Sequence, residues 1–161
     1  MNICIISDIK LVNLINPFIN SLYTHNKQHD IIIHYIHNID DNTIIENLKK
    51  TILTNYKIKF FDYYKNWNYA YKTDLKHVSD ATMIRLFIPN ILLKINRCLY
   101  LDLDIIIFDN IIDIYNYNCG STGLSMVEGN APCFLVNKPY TKYGNAGVIV
   151  MDLDILRKKN L

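Results

Sequence analysis

The chain has 161 residues, 50% of them hydrophobic and 20% charged, which suits one domain with a buried core. Its formal net charge of +2 argues against a nucleic-acid partner or attraction to an anionic membrane. No apolar run is long enough to cross a bilayer, and Asp8 breaks the N-terminal run too early for a signal peptide, so a cytoplasmic protein is expected.

The run from Asn2 to Ser7 is apolar without alternation, the pattern of a strand buried on both faces. Leu11, Leu14, Ile15, Phe18, Ile19 and Leu22 recur at helical spacing. They predict a helix over about 10–23, with Asp8 near its N-cap and a kink or restart at Pro17. Residues 31–36 form a second apolar run and a predicted strand. Asp40-Asp41-Asn42 caps a predicted helix over about 43–53, and 58–61 is a short third strand. This β-α-β-α-β order implies a parallel sheet with right-handed crossovers.

Residues 62–76, which hold Trp67, are aromatic and polar without clear period and read as a loop. Ser79 caps a predicted helix over about 81–88, which Pro89 stops. The apolar run from Arg97 leads into Asp102-Leu103-Asp104, and Ile105-Ile106-Ile107-Phe108 reads as another strand. A short helix follows near 111–115, then a last strand over 146–151 and a helix beginning at 152. All five glycines, Gly120, Gly123, Gly129, Gly144 and Gly147, follow Asp104, so close backbone approaches are concentrated in the last quarter of the chain. The four cysteines, Cys4, Cys98, Cys119 and Cys133, form no C-x-x-C pair. Free thiols in a reducing compartment are therefore expected. No repeat or linker divides the sequence, so 1–161 reads as a single domain.

The Asp-x-Asp step carries the chemistry. Two carboxylates in an apolar stretch are costly unless compensated. Mn²⁺ or Mg²⁺ would compensate them, with phosphate oxygens and water completing the shell. The alternative is a turn with both carboxylates in water, and Asp-x-Asp by itself does not decide between the two. Parallel sheets bind ligands outside the carboxyl ends of their strands. Ser7-Asp8 and Asp102-Leu103-Asp104 end two such strands, and Arg85 projects from the helix before the second. Asp8 is then a ligand contact or a helix cap. Arg85 is a partner for phosphate or carboxylate, or a residue of an exposed helix face.

Three ordered segments resemble a known family: His77-Val-Ser-Asp-Ala-Thr-Met-Ile-Arg85-Leu86 with Ile88-Pro89, Arg97-Cys-Leu-Tyr-Leu-Asp-Leu-Asp-Ile105, and Tyr143-Gly-Asn-Ala-Gly-Val148. With the opening strand, they resemble the family-eight retaining glycosyltransferases, the group that includes glycogenin and the bacterial lipopolysaccharide galactosyltransferases. The resemblance runs over essentially the whole chain. It implies an α/β, glycosyltransferase A-type fold, a UDP-sugar donor and Mn²⁺. It also implies that Asp8 contacts the uracil, with Ser7 beside it. Asp102 and Asp104 would hold the metal, Asp102 reaching the ribose as well, with Leu103 between them. Arg85 would bond the donor sugar or its phosphate side, and His77 would lie near the sugar or the acceptor. Asn145, in the Asn145-Ala146-Gly147 step, would contact the sugar, and Gly147 would permit close packing.

The sequence departs from the family at several points. Ile9, Lys10 and Leu11 follow Asp8 where the family has a second acid and an Asn-Tyr step, and Gly144 stands for the family's Phe. Glu128 is the nearest match to an acid after the switch region. The Asp-Gln-Asp and His-x-x-Gly-x-x-Lys-Pro-Trp segments of the family have no counterpart, and all five histidines, His25, His29, His34, His37 and His77, precede Asp102. A C-terminally short domain is therefore expected. Three functional readings stand: a metal-dependent hexosyltransferase acting on an unidentified sugar, lipid or protein acceptor, truncated or completed by a partner, or assembled as a homo-oligomer; a UDP-sugar-binding module with little transfer; or a folded remnant that binds no ligand.

Overall fold

The computed structural model describes residues 1–52, 55–62, 83–130 and 142–159. Six strands form one sheet in the order β3-β2-β1-β4-β6-β5. β1 (Asn2–Ser7), β2 (Ile32–His37), β3 (Lys57–Asp62) and β4 (Arg97–Leu101) run parallel. β6 (Lys142–Asp152) lies antiparallel to β4, and β5 (Leu124–Asn130) antiparallel to β6. Helices α1 (Ile15–Asn26), α2 (Asn42–Thr51), α3 (Ile88–Ile91), α4 (Ile112–Tyr115) and α5 (Leu153–Lys158) flank it.

The two-residue period of the strands divides the core. Ile3, Ile5, Ile33, Tyr35, Leu99 and Leu101 face one way, against Ile15, Phe18, Ile19 and Leu22 of α1 and Ile45 and Leu48 of α2. Cys4, Ile6, Ile36, Cys98 and Tyr100 face the other way, against Ile84, Ile88 and Leu92 and against Leu153 and Leu156 of α5. Both faces are covered, which is why β1, β2 and β4 read as apolar without alternation.

Several predicted elements shift. Asp8 does not cap α1. It closes a tight turn, its Oδ1 accepting from Lys10 N at 2.9 Å and its carbonyl from Leu11 N at 3.3 Å. A 3₁₀ turn at Val12–Leu14 follows, and α1 begins at Ile15. Pro17 thus falls in the first turn of α1, where its missing N–H costs no helical bond. Pro89 likewise stops nothing. It sits at the start of α3, after a 3₁₀ turn at Arg85–Phe87.

The run Ile105–Phe108 is not a strand. Side chains of α1 hold this stretch instead: Ile107 N donates to Ser21 Oγ at 3.1 Å, and just beyond the run Asn26 clamps Asp109 O and Ile111 N. Ile107 is buried by this, while Ile106 and Phe108 are left exposed. β5, by contrast, was not legible as a strand. It is an edge strand of mixed composition, preceded by Gly123 at φ +81, where an added Cβ would lie 3.0 Å from Ile155.

Candidate functional site

Asp8, at the end of β1, and Asp102, at the end of β4, lie at the carboxyl edge of the parallel strands, on neighbours in the sheet. Topology therefore brings together residues 94 positions apart. Asp102 continues the face of Tyr100, two residues earlier on β4, and so opens toward the layer that carries Arg85. Leu103 points the other way and is buried in the α1 core. That apolar peg holds the turn between the two acids, so that Asp102 is half-buried and Asp104 exposed.

The carboxylate of Asp102 is tightly held. The Tyr100 hydroxyl donates to its Oδ1. The Arg85 guanidinium stands 3.7 Å from the same oxygen, 5.1 Å above the Tyr100 ring, and donates to Ala146 O at 2.6 Å. Burial, then the hydrogen bond to Asp102, push the Tyr100 hydroxyl well above its ordinary pKa. It keeps its proton and acts only as a donor.

A bulge supplies the third part. Along β5, Met126 pairs with Ile149 but Val127 with Asn145, so Ala146, Gly147 and Val148 of β6 have no partner on that side. Bulges of this kind re-aim a strand beside a site. Here the bulged segment folds over the end of β4, where Asp102 N donates to Gly147 O at 2.9 Å. Asn145, an exposed residue, accepts from Gly147 N at 2.8 Å through its Oδ1. A Cβ on Gly147 would lie 3.1 Å from Asp102 Oδ2 and 3.2 Å from Asn145 Oδ1.

Arg85, Asp102, Ala146 and Gly147 are thus in contact, with Asn145 beside them. Ser7 is placed differently: its hydroxyl is fully buried and bonded to Tyr35 OH at 2.7 Å. Burial pushes the Tyr35 hydroxyl up to about 12. Glu128 is exposed on β5 opposite Gly144. His77 lies outside the described residues. Tyr100 and Tyr35 were missed as site residues, although the two-residue spacing of Tyr100 and Asp102 on one strand already puts them on one face.

The donor set suits a hard divalent cation. Asp102 and Asp104 offer oxygen ligands that reach solvent, and Mg²⁺ and Mn²⁺ take one or two carboxylates with phosphate and water. No group of three His, Cys, Asp or Glu side chains is gathered among the described residues. Cys4, Cys98 and Cys119 are free and buried. No helix among the described residues is long and apolar enough to cross a membrane.

No curated protein matches the sequence. Among solved structures, the galactosyltransferase LgtC, crystallised with donor and acceptor sugar analogs, superposes with a TM-score of 0.80 at 18% identity, over 98% of this chain and 60% of that one. Mouse xyloside xylosyltransferase 1 gives 0.69 at 15% identity, over 98% and 68%. GlyE of Streptococcus pneumoniae TIGR4 gives 0.67 at 17%, over 99% and 36%. At these identities the likeness is one of fold, and the fold is the glycosyltransferase A type. The chain spans about 60% of the length of LgtC. The model of the family described as Glycosyl transferase family 8 matches residues 3–161, and the chain therefore belongs to glycosyl transferase family 8.

Proposed function

We propose that this chain forms the donor-binding part of a metal-dependent, retaining glycosyltransferase, which takes a UDP-sugar and moves its hexosyl group to an acceptor. The observation that carries this reading is the convergence of Asp102, Arg85 and the bulged Asn145-Ala146-Gly147 segment at the carboxyl end of β4. Ligands of α/β sheets bind at such strand ends.

Each residue has a task its contacts leave open. Asp8 spends one carboxylate oxygen on Lys10 N, and its second oxygen is available to accept from the N3–H of uracil. Asp102 and Asp104 would hold Mn²⁺ or Mg²⁺, which when bound neutralises charge gathering on the departing diphosphate. Arg85, anchored on Tyr100 and Ala146, is placed to pair with a phosphate oxygen, a geometry that guanidinium suits. The amide of the exposed Asn145 donates to a sugar hydroxyl. Without a Cβ, Gly147 lets the sugar lie against the backbone. The seating of Leu103 in the core keeps the two acids from turning inward when the ligand is absent.

The test is a calorimetric titration of Mn²⁺ with and without UDP. If Asp102, Asp104 and the diphosphate share the cation, Mn²⁺ binds more tightly in the presence of UDP, and Asp102→Ala abolishes the difference. Equal Mn²⁺ affinity with and without UDP would overturn the shared site.

A further inference from the structure

Asp102 has two carboxylate oxygens in different surroundings. Oδ1 accepts from the Tyr100 hydroxyl and faces the Arg85 guanidinium at 3.7 Å. Oδ2 faces the place where Gly147 lacks a Cβ, which an added methyl would approach to 3.1 Å. One oxygen is thus engaged by a hydrogen-bond donor and an ion-pair partner, and the other faces the space that glycine leaves without a Cβ.

Both partners are themselves anchored. Tyr100 is 2% exposed, and its ring packs in the core with Cys4, Ile6 and Ile36. Cys4 is its register partner on β1. Arg85 is held by the Ala146 carbonyl at 2.6 Å and by the Tyr100 ring beneath it. Asp102 alone is only half-buried and would otherwise be free to rotate.

We propose that Tyr100 is a positioning residue: its hydroxyl fixes the rotamer of Asp102 so that Oδ2, and not Oδ1, is the oxygen offered to the divalent cation. This rests on the metal-binding reading above and refines it. Arg85 then serves in two ways. Without ligand it balances the charge of Asp102. When a cation takes Oδ2, Oδ1 stays on Tyr100, and the guanidinium stays beside it, within the same site. Partners that orient a metal ligand in this way typically change metal affinity by about 10–100-fold when removed.

Tyr100→Phe removes the hydroxyl and keeps the buried ring. Mn²⁺ binding in the presence of UDP, followed by the paramagnetic resonance of free Mn²⁺, should weaken about 10–100-fold in the variant. Melting without metal should stay close to that of the wild-type protein, which separates positioning from a structural defect. Affinity within twofold of wild type would overturn the proposal. A second measurement does not depend on the metal: crystal structures of both proteins without ligand. The wild type should show one Asp102 rotamer with Oδ1 on Tyr100, and the variant a turned or divided carboxylate. An unchanged Asp102 in Tyr100→Phe would overturn the positioning role. If the wild type binds no Mn²⁺, the metal reading fails by itself, and the paired crystal structures still decide what Tyr100 does.

Discussion

Gly147 illustrates how finely single residues are set at this site. Its backbone has no unusual angle, so the reason for glycine is space. A methyl there would press on Asp102 Oδ2 at 3.1 Å and Asn145 Oδ1 at 3.2 Å. Both oxygens belong to groups assigned to the donor, and they would have to give by a few tenths of an ångström. Gly147→Ala should therefore weaken UDP binding in Mn²⁺ by about tenfold, or about 1.4 kcal/mol, while leaving the fold intact. Calorimetry on the variant would check this, and an unchanged affinity would show that the carboxylate has room to move. Asp102, Arg85 and Gly147 could be picked out in the sequence because each stands in one of the three ordered segments that resemble the family. Tyr100 could not, because a tyrosine in an apolar strand looks like core, and here it is also core.

At the scale of elements, a cross-strand set makes stability depend on pH. His34 of β2 is 1% exposed, bonds Asn2 Oδ1 of β1 through Nε2 at 3.0 Å, and is the register partner of Lys59 on β3. Its ring packs on Phe61, and its Nδ1 has no hydrogen-bond partner. Burial, and then the nearby Lys59 charge, lower its pKa from 6.5 to about 4. Because the folded pKa is depressed, the unfolded chain binds the proton first as pH falls. Stability from a neutral His34 is full above pH 6.5 and is lost as pH falls through about 4. At about 1.4 kcal/mol per unit over about 2.5 units, that loss is on the order of 3 kcal/mol. Urea unfolding at pH 7 and pH 4.5 should show most of it, and His34→Leu should flatten the dependence. An equally steep dependence in the variant would place its origin elsewhere. The strands here were legible because both faces are apolar, but their ends were not. Ile105–Phe108 has strand composition, yet Ser21 of α1 takes the N–H of Ile107 and Asn26 holds the backbone just after the run. A composition rule cannot see a helix side chain arriving from 83 to 86 residues away.

On the scale of the whole molecule, a ligand held between β1 and β4 ties two halves of the sheet together and should stabilise the whole fold. A ligand at about 100 times its dissociation constant adds about 2.7 kcal/mol to the native state. With Mn²⁺ present, UDP should raise the melting temperature more than ADP or GDP at the same concentration. Thermal melts with the three nucleotides measure this directly. Equal shifts would remove Asp8 as a contact to the base, although a diphosphate site at Asp102 and Asp104 could stand without it.

The sequence by itself determined the frame and raised a candidate for the site. Apolar runs of strand length alternating with helical periods imply a parallel sheet, and acids closing two of those runs place two candidate ligand contacts at its carboxyl edge. Both inferences use local pattern alone, since the side-chain period and the cost of a buried carboxylate act within a few residues. Tertiary structure decided how the site is built. The order β1-β4-β6-β5 sets Asp8 near Asp102 and puts β6 antiparallel beside β4. The bulge opposite Met126 and Val127 then turns Asn145-Ala146-Gly147 over the strand end. Register between strands depends on the packing of both faces at once, and so does the choice of Asp102 oxygen held by Tyr100. Those choices are made by residues far apart in the chain, where no local pattern carries the information.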